Sequence, residues 1–144
     1  MILISHRGNI FGRRPELENS VDYISCAIED GYDVEIDVWC KDDKLFLGHD
    51  APQHEVQQEW LLDNAERLWC HAKNLEALKK LENLQLHYFW HENNQVTITS
   101  KNYIWANKNV NIDNDRAIVI FPENYNYDSS KYIGMCSDYI GEYK

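Results

Sequence analysis

Ionisable side chains recur at the ends of this chain's apolar runs. ISHRGN (residues 4–9) closes the first run with His6 and Arg7, and DVEIDVW carries Glu35 and Asp37 in the second. LFLGHD ends in His49 and Asp50, WCHAKN carries His71 and Lys73, FWHEN carries His91 and Glu92, and the terminal CSDYI carries Asp138. One such residue at a strand end is ordinary. A set at nearly every strand end is not, because burying charge costs several kcal/mol unless the groups pair or hold an ion.

Glu35 and Asp37 are two residues apart, so on a strand both side chains leave the same face while Val34, Ile36 and Val38 leave the other. Two carboxylates side by side raise each other's pKa unless a cation lies between them. Oxygen donors suit hard ions, Mg²⁺ or Ca²⁺ first. The plainer alternative is the solvated face of an edge strand. His6 and His49 form a candidate acid/base pair, since imidazole takes and gives protons near neutral pH. Arg7 and Lys73 are suited to phosphate oxygens, Arg through two parallel donors and Lys as a point charge. Two imidazoles, two carboxylates and two cations together suggest metal-assisted phosphoryl transfer, in which charge stabilisation and positioning dominate. Asp138 is expected to orient Arg7 or a substrate hydroxyl. Trp39 and Trp105 could stack on a glycerol or sugar face, although strand aromatics more often pack. His87, Tyr88 and Trp90 read as packing.

These residues need elements to hold them. MILISHRG reads as a strand, and ENSVDYISCAIEDG reads as a helix capped by Asn19 or Ser20 and stopped by Gly31. YDVEIDVW and LFLGHD read as strands joined by the KDDK turn. EVQQEWLLDNAERL and LEALKKLENL read as helices, WCHAKN and LHYFWHEN as the strands after them. Beyond that point TITS, YIWAN, AIVIFPEN and GMCSDYI are strand-like and the helices fade. Alternating strands and helices argue for a parallel α/β sheet, and about eight strands is the number that closes a (β/α)₈ TIM barrel. Such barrels need ~250 residues, so the expectation is a minimal barrel with several helices shortened or missing. An open sheet with fewer strands is the alternative. The flank left bare by missing helices favours a homodimer.

The 144 residues suit one domain spanning 1–144, and 44% hydrophobic with 12% aromatic residues is a folded composition. The net charge of -10 disfavours nucleic acid and anionic membranes. No run is long enough for a transmembrane segment. No secretion signal opens the chain, and four scattered cysteines without a CxxC pair fit free thiols in a reducing compartment, so a cytoplasmic location is expected.

HRG at His6–Gly8, ENS at Glu18–Ser20, EID at Glu35–Asp37 and GHD at Gly48–Asp50 resemble, in order and spacing, the glycerophosphodiester phosphodiesterase family. That family is one branch of the phosphatidylinositol-phospholipase-C-like phosphodiesterases. The four motifs cover the first third of the chain. Later stretches, HAKN, FWHEN, TSKNYIWAN and CSDY, look like a compact bacterial subgroup of these domains. The resemblance implies a (β/α)₈ barrel and a divalent metal. It implies His6 and His49 as general base and acid and Glu35 and Asp37 as metal ligands. It also implies a glycerophosphodiester or related polyol or sugar phosphodiester as the small substrate. Glu18 and Asn19 would support the catalytic loop, with Asp50 beside His49. One position departs. The family's fourth strand usually carries Glu-x-Lys, and here the pair is His71 and Lys73. An imidazole third ligand softens the site toward Mn²⁺ or Zn²⁺. The competing readings are a catalytically inactive barrel that binds a phosphorylated polyol or a partner protein, and a zinc hydrolase built on His6, His49, His71 and His91.

Overall fold

The computed structural model describes residues 1–107, 110 and 112–144. In chain order the elements are β1 (Ile2–His6), α1 (Val21–Glu29), β2 (Asp33–Lys41), β3 (Lys44–Leu47), β4 (His54–Val56), α2 (Gln58–Asp63) and β5 (Leu68–Ala72). They continue with α3 (Leu75–Asn83), β6 (Tyr88–Phe89), β7 (Val96–Ile98), β8 (Ile104–Ala106), β9 (Ala117–Ile120) and β10 (Gly134–Ser137). Single 3₁₀ turns occupy Pro122–Asn124, Ser129–Lys131 and Ile140–Tyr143.

Strands β6, β5, β2, β1, β10, β9 and β8 lie side by side in parallel, and β7 runs antiparallel to β8 at one edge. The far half of β2 also pairs antiparallel with β3, which pairs with β4. The sheet curls into a half-barrel. Its two edges are joined by a short seam rather than a strand ladder. Ser100 N donates to the Tyr88 carbonyl at 2.8 Å, His87 Nε2 meets Thr99 Oγ1 at 2.7 Å, and Thr97 Oγ1 donates to the Trp90 carbonyl at 3.0 Å.

This corrects the expected minimal (β/α)₈ TIM barrel. The described residues hold three short α-helices, of nine, six and nine residues, on a mixed sheet. The physical reason lies in the connections. A crossover helix needs an apolar stripe to lay on the sheet, and after α3 the segments between strands are short and rich in Asn and Asp. Tyrosines do the covering instead. Behind β9 and β10, Val119 and Met135 are buried with Tyr32 and Ile140 against Tyr125, Tyr127, Tyr132 and Tyr143. The segment EVQQEWLLDNAERL is likewise less helical than expected, because its start forms β4 and only Gln58–Asp63 is helix. LHYFWHEN yields only the two-residue strand β6.

Alternation divides the side chains between two faces. Outward-facing Val34, Ile36 and Val38 of β2 and Cys70 of β5 pack under Ile24, Ala27, Leu61, Ala77 and Leu81 of the three helices. Inside the curl, Ile4, Trp69, Phe89, Trp105, Ile118, Ile120 and Cys136 form an apolar floor. The ionisable residues of the same strands rise from that floor at the carboxyl ends. Asn74 ties α3 to β2. Its Oδ1 accepts from Ala77 N at 3.0 Å and Cys40 N at 3.2 Å, and its Nδ2 donates to the Cys40 carbonyl at 2.9 Å. No helix among the described residues is long and apolar enough to cross a membrane.

Candidate active site

Register assembles the site. His6 of β1 lies opposite Glu35 of β2, and Asp37 of β2 lies opposite His71 of β5. All four side chains leave the concave face, as the i, i+2 spacing of Glu35 and Asp37 requires. Beside them opens a cavity of about 370 Å³ whose wall includes His6, Arg7, Glu35, His49, His71 and Lys73. The sequence-derived candidates therefore converge from three strands, β1, β2 and β5, and the loop after β3. Asp37 lies beneath the cavity, fully buried. Asp50 stands apart. It is almost fully exposed and touches the site only through His49, whose Nδ1 lies 2.8 Å from its Oδ1.

Two glycines shape the rim. The chain turns at Gly8 with a φ of +96°, where a Cβ would sit 2.6 Å from the Tyr23 ring. At Gly48 a Cβ would collide with the Ala51 carbonyl oxygen, so the tight loop that presents His49 excludes a side chain there. Arg7, Asn19 and Phe121 adopt left-handed backbone with φ of 57°, 63° and 50°. Such residues store about 1–3 kcal/mol each and cluster at functional sites.

Behind the cavity a polar network holds the working groups. His6 Nδ1 is 2.7 Å from Asp138 Oδ1. Burial alone would raise the Asp138 pKa, but the bond to His6 and the Asn9 amide hold it below the usual carboxylate range. An ionised carboxylate only accepts, so Nδ1 carries the proton and Nε2 is left facing Glu35 Oε2 at 3.7 Å. Asp138 thus bonds His6, and it makes no bond to Arg7. Asn9, not among the residues expected from the sequence, donates to both Asp138 Oδ1 at 2.8 Å and Glu18 Oε1 at 3.0 Å. Its only sequence signal was its place next to HRG. Glu18 also accepts from Arg13 Nε at 3.1 Å and Arg7 at 3.3 Å. Asn19 is not the helix cap. Its Nδ2 donates to Asp37 Oδ2 at 3.0 Å and its Oδ1 accepts from Asp37 N at 3.0 Å, while Ser20 takes the cap position without a side-chain bond.

The carboxylates are the most tightly held groups. Arg7 Nε is 2.9 Å from Asp37 Oδ2, near enough for an ion pair but out of line for a hydrogen bond. His71 Nδ1 is 3.2 Å from Asp37 Oδ1 and 3.7 Å from Glu35 Oε1, and Lys73 Nζ is 3.8 Å from Asp37 Oδ1. Burial pushes the Glu35 carboxyl well above its usual range, and the adjacent Asp37 adds to that. Burial would raise Asp37 too, yet His71 and the Arg7 guanidinium outweigh it and hold Asp37 well below the usual range. Even so, Glu35 Oε2 and Asp37 Oδ1 are buried without a hydrogen-bond partner. Their only close partners among the described residues are ionic contacts from His71, Lys73 and His6, which leaves hydrogen-bonding capacity that a cation could use. Glu35, Asp37 and His71 each offer a donor atom, all within 4.8 Å of one another, so the residues present fit a divalent ion.

The far wall of the cavity adds Trp90, His91, Asn93, Trp105, Asn107 and Phe121. Phe121 meets the His6 ring edge-on at 4.9 Å. Trp105 lies inside the curl against Phe89, while Trp39 points its Nε1 to the Gly48 carbonyl at 2.6 Å and so braces the His49 loop. Burial lowers the His49 pKa, and the nearby Arg7 charge lowers it further.

No protein-family model matches this chain, and comparison with curated proteins and with solved structures gives no match.

Proposed function

We propose that the chain is a metal-dependent phosphodiesterase acting on a glycerophosphodiester or a related polyol or sugar phosphodiester. The observation that carries this reading is the buried pair of carboxylate oxygens without a hydrogen-bond partner, Glu35 Oε2 and Asp37 Oδ1, beside an imidazole held by Asp138 at the wall of one cavity. Glu35, Asp37 and His71 would hold a divalent ion, which when bound draws charge from a phosphate oxygen. Lys73 and the accessible edge of Arg7 add positive charge to the same wall. His6 Nε2, its partner nitrogen fixed as N–H, takes a proton from the attacking hydroxyl, either water or the neighbouring alcohol of the substrate. His49 at the mouth, in its protonated form, gives a proton to the departing alkoxide; burial and the Arg7 charge lower its pKa, so that form is populated toward acidic pH. Trp105 and Trp90 give the organic part of the diester an aromatic wall. The four motifs shared with the glycerophosphodiester phosphodiesterases support the same chemistry.

Hydrolysis of bis-p-nitrophenyl phosphate and of glycerophosphodiesters, across Mg²⁺, Ca²⁺, Mn²⁺ and Zn²⁺, tests the proposal. Turnover should require metal and should fall at least about 100-fold in both His6→Ala and Glu35→Ala. Folded wild-type protein that turns over none of these diesters with any of the ions would move the reading to a binding domain.

A further inference from the structure

We infer that the centre formed by Glu35, Asp37 and His71 takes an imidazole-seeking transition ion of the Fe²⁺, Co²⁺ and Zn²⁺ class, through His71 Nδ1, in preference to Mg²⁺ or Ca²⁺. The inference deepens the metal-binding part of the function proposed above and rests on that part alone.

His71 is built as a ligand. Its Nε2 lies 2.8 Å from the His91 carbonyl oxygen. A carbonyl only accepts, so Nε2 carries a proton and Nδ1 is the nitrogen that faces the carboxylates, with a lone pair in the neutral ring or with a second proton that a metal ion displaces. A histidine that binds metal through one nitrogen almost always donates the other N–H to a carbonyl or carboxylate, which fixes the tautomer and aims the ring. The aim is reinforced by Phe89, which stacks on the His71 ring at 5.1 Å with planes 9° apart. Nδ1 then points at Asp37 Oδ1 and Glu35 Oε1, 3.2 Å and 3.7 Å away. Three donors on one ion with bonds of about 2.1 Å stand roughly 3.0–3.4 Å apart. The His71–Asp37 separation already falls in that range, while the three donors together span up to 4.8 Å and must draw inward to close on an ion.

A plain ion pair between His71 and Asp37 explains the geometry less well. The 3.2 Å approach is off the hydrogen-bond line, and Asp37 Oδ1 is left with ionic contacts to His71 and Lys73 but no hydrogen bond. The donor count also disfavours the hard ions. Ca²⁺ takes six to eight oxygens and Mg²⁺ keeps a near-octahedral oxygen shell. Here the third protein donor is nitrogen, and imidazole suits Zn²⁺ and Fe²⁺.

Two measurements on metal-stripped and reloaded protein decide the matter without substrate. In the Co²⁺-loaded wild type, ¹H NMR in water should show one strongly shifted, exchangeable imidazole N–H resonance. It should vanish in D₂O and be missing from His71→Gln. Calorimetric titration should show Zn²⁺ affinity falling at least about tenfold in His71→Glu while Mg²⁺ affinity holds or rises. Absence of the resonance from the wild type overturns the inference, as does an unchanged Zn²⁺ to Mg²⁺ ratio or failure of Co²⁺ and Zn²⁺ to bind. If His71→Glu does not fold, the wild-type resonance decides alone. A protein that shows the resonance but cleaves no diester retires the hydrolase reading and keeps this one. Diester cleavage with Mg²⁺ and no resonance does the reverse.

Discussion

At the scale of single residues, the site turns on which nitrogen of each histidine holds the proton. Asp138 settles this for His6 and the His91 carbonyl settles it for His71. In each case the other nitrogen faces the carboxylates. The candidates themselves were legible in the sequence because short motifs and an i, i+2 spacing are local. The His6–Asp138 bond was not legible, because its partners are 132 residues apart and nothing local in CSDYI points to HRG. Asn19 misled for a related reason. An Asn just before a helix reads as a cap, and only the fold shows that its amide is spent on Asp37. Asp138→Asn tests the His6 arrangement. If the carboxylate both orients the ring and stabilises its charged form, kcat on a diester should drop about 100-fold or more. Zn²⁺ affinity should stay as in the wild type, so that the loss of kcat reports the orientation of His6 and not a damaged metal centre. A variant with wild-type kcat would make Asp138 merely a packing residue.

At the scale of elements, the first half of the chain declares itself and the second half does not. β1, α1, β2, β5 and α3 follow from apolar runs, alternation and stop signals, because each buries its stripe on a near neighbour in sequence. β6 and β7 are two and three residues long, too short for a periodic signal, and their edges meet across the seam through a backbone bond and side-chain contacts. His87 sits at that seam, 4% exposed, bonded to Thr99 and packed at 4.2 Å on Trp69. Burial drives its pKa down to about 3, with the Lys101 charge adding to the effect. The sign follows from the direction. Above the ordinary histidine value near 6.5 the ring is neutral in folded and unfolded chains, so its contribution is fully present. Between that value and about 3 the unfolded chain takes the proton and the folded chain refuses it, so stability falls with falling pH by up to about 1.4 kcal/mol per unit. His87→Gln should lower stability at pH 7 but flatten this slope. Urea midpoints at pH 7, 6, 5 and 4 read it directly, and parallel slopes for the two proteins would remove His87 from the acid response.

At the scale of the whole molecule, three apolar clusters share one sheet, two against its outer face and one inside the curl. The outer face is closed by helices behind β2 and β5 and by tyrosines behind β9 and β10, which is how so short a chain does without a full ring of helices. The sequence supported a strand count near eight, but not the closure, because helices that are absent leave no pattern to read and an antiparallel edge strand looks like any other. The order of the sheet makes the C-terminal strand central. β10 lies between β1 and β9, in register from Ile2 with Gly134 to Ser5 with Ser137 and from Ile118 with Gly134 to Ile120 with Cys136. Its loss would strip both neighbours of a hydrogen-bonded ladder. It would also remove Met135, Cys136 and Ile140 from the clusters on both faces and Asp138 from His6. Buried ladder groups without partners cost about 1–3 kcal/mol each, and a small domain has only about 5–15 kcal/mol in all. A chain ending at Lys131 should therefore lose its cooperative thermal transition and its near-ultraviolet circular dichroism together, whereas the full chain should melt in a single step. If the shortened chain kept a cooperative transition, the half of the sheet built on β2 and its three helices would be an independent folding unit. The carboxylates and His71 would then be held by that unit alone, and metal affinity would survive the truncation while His6 went astray.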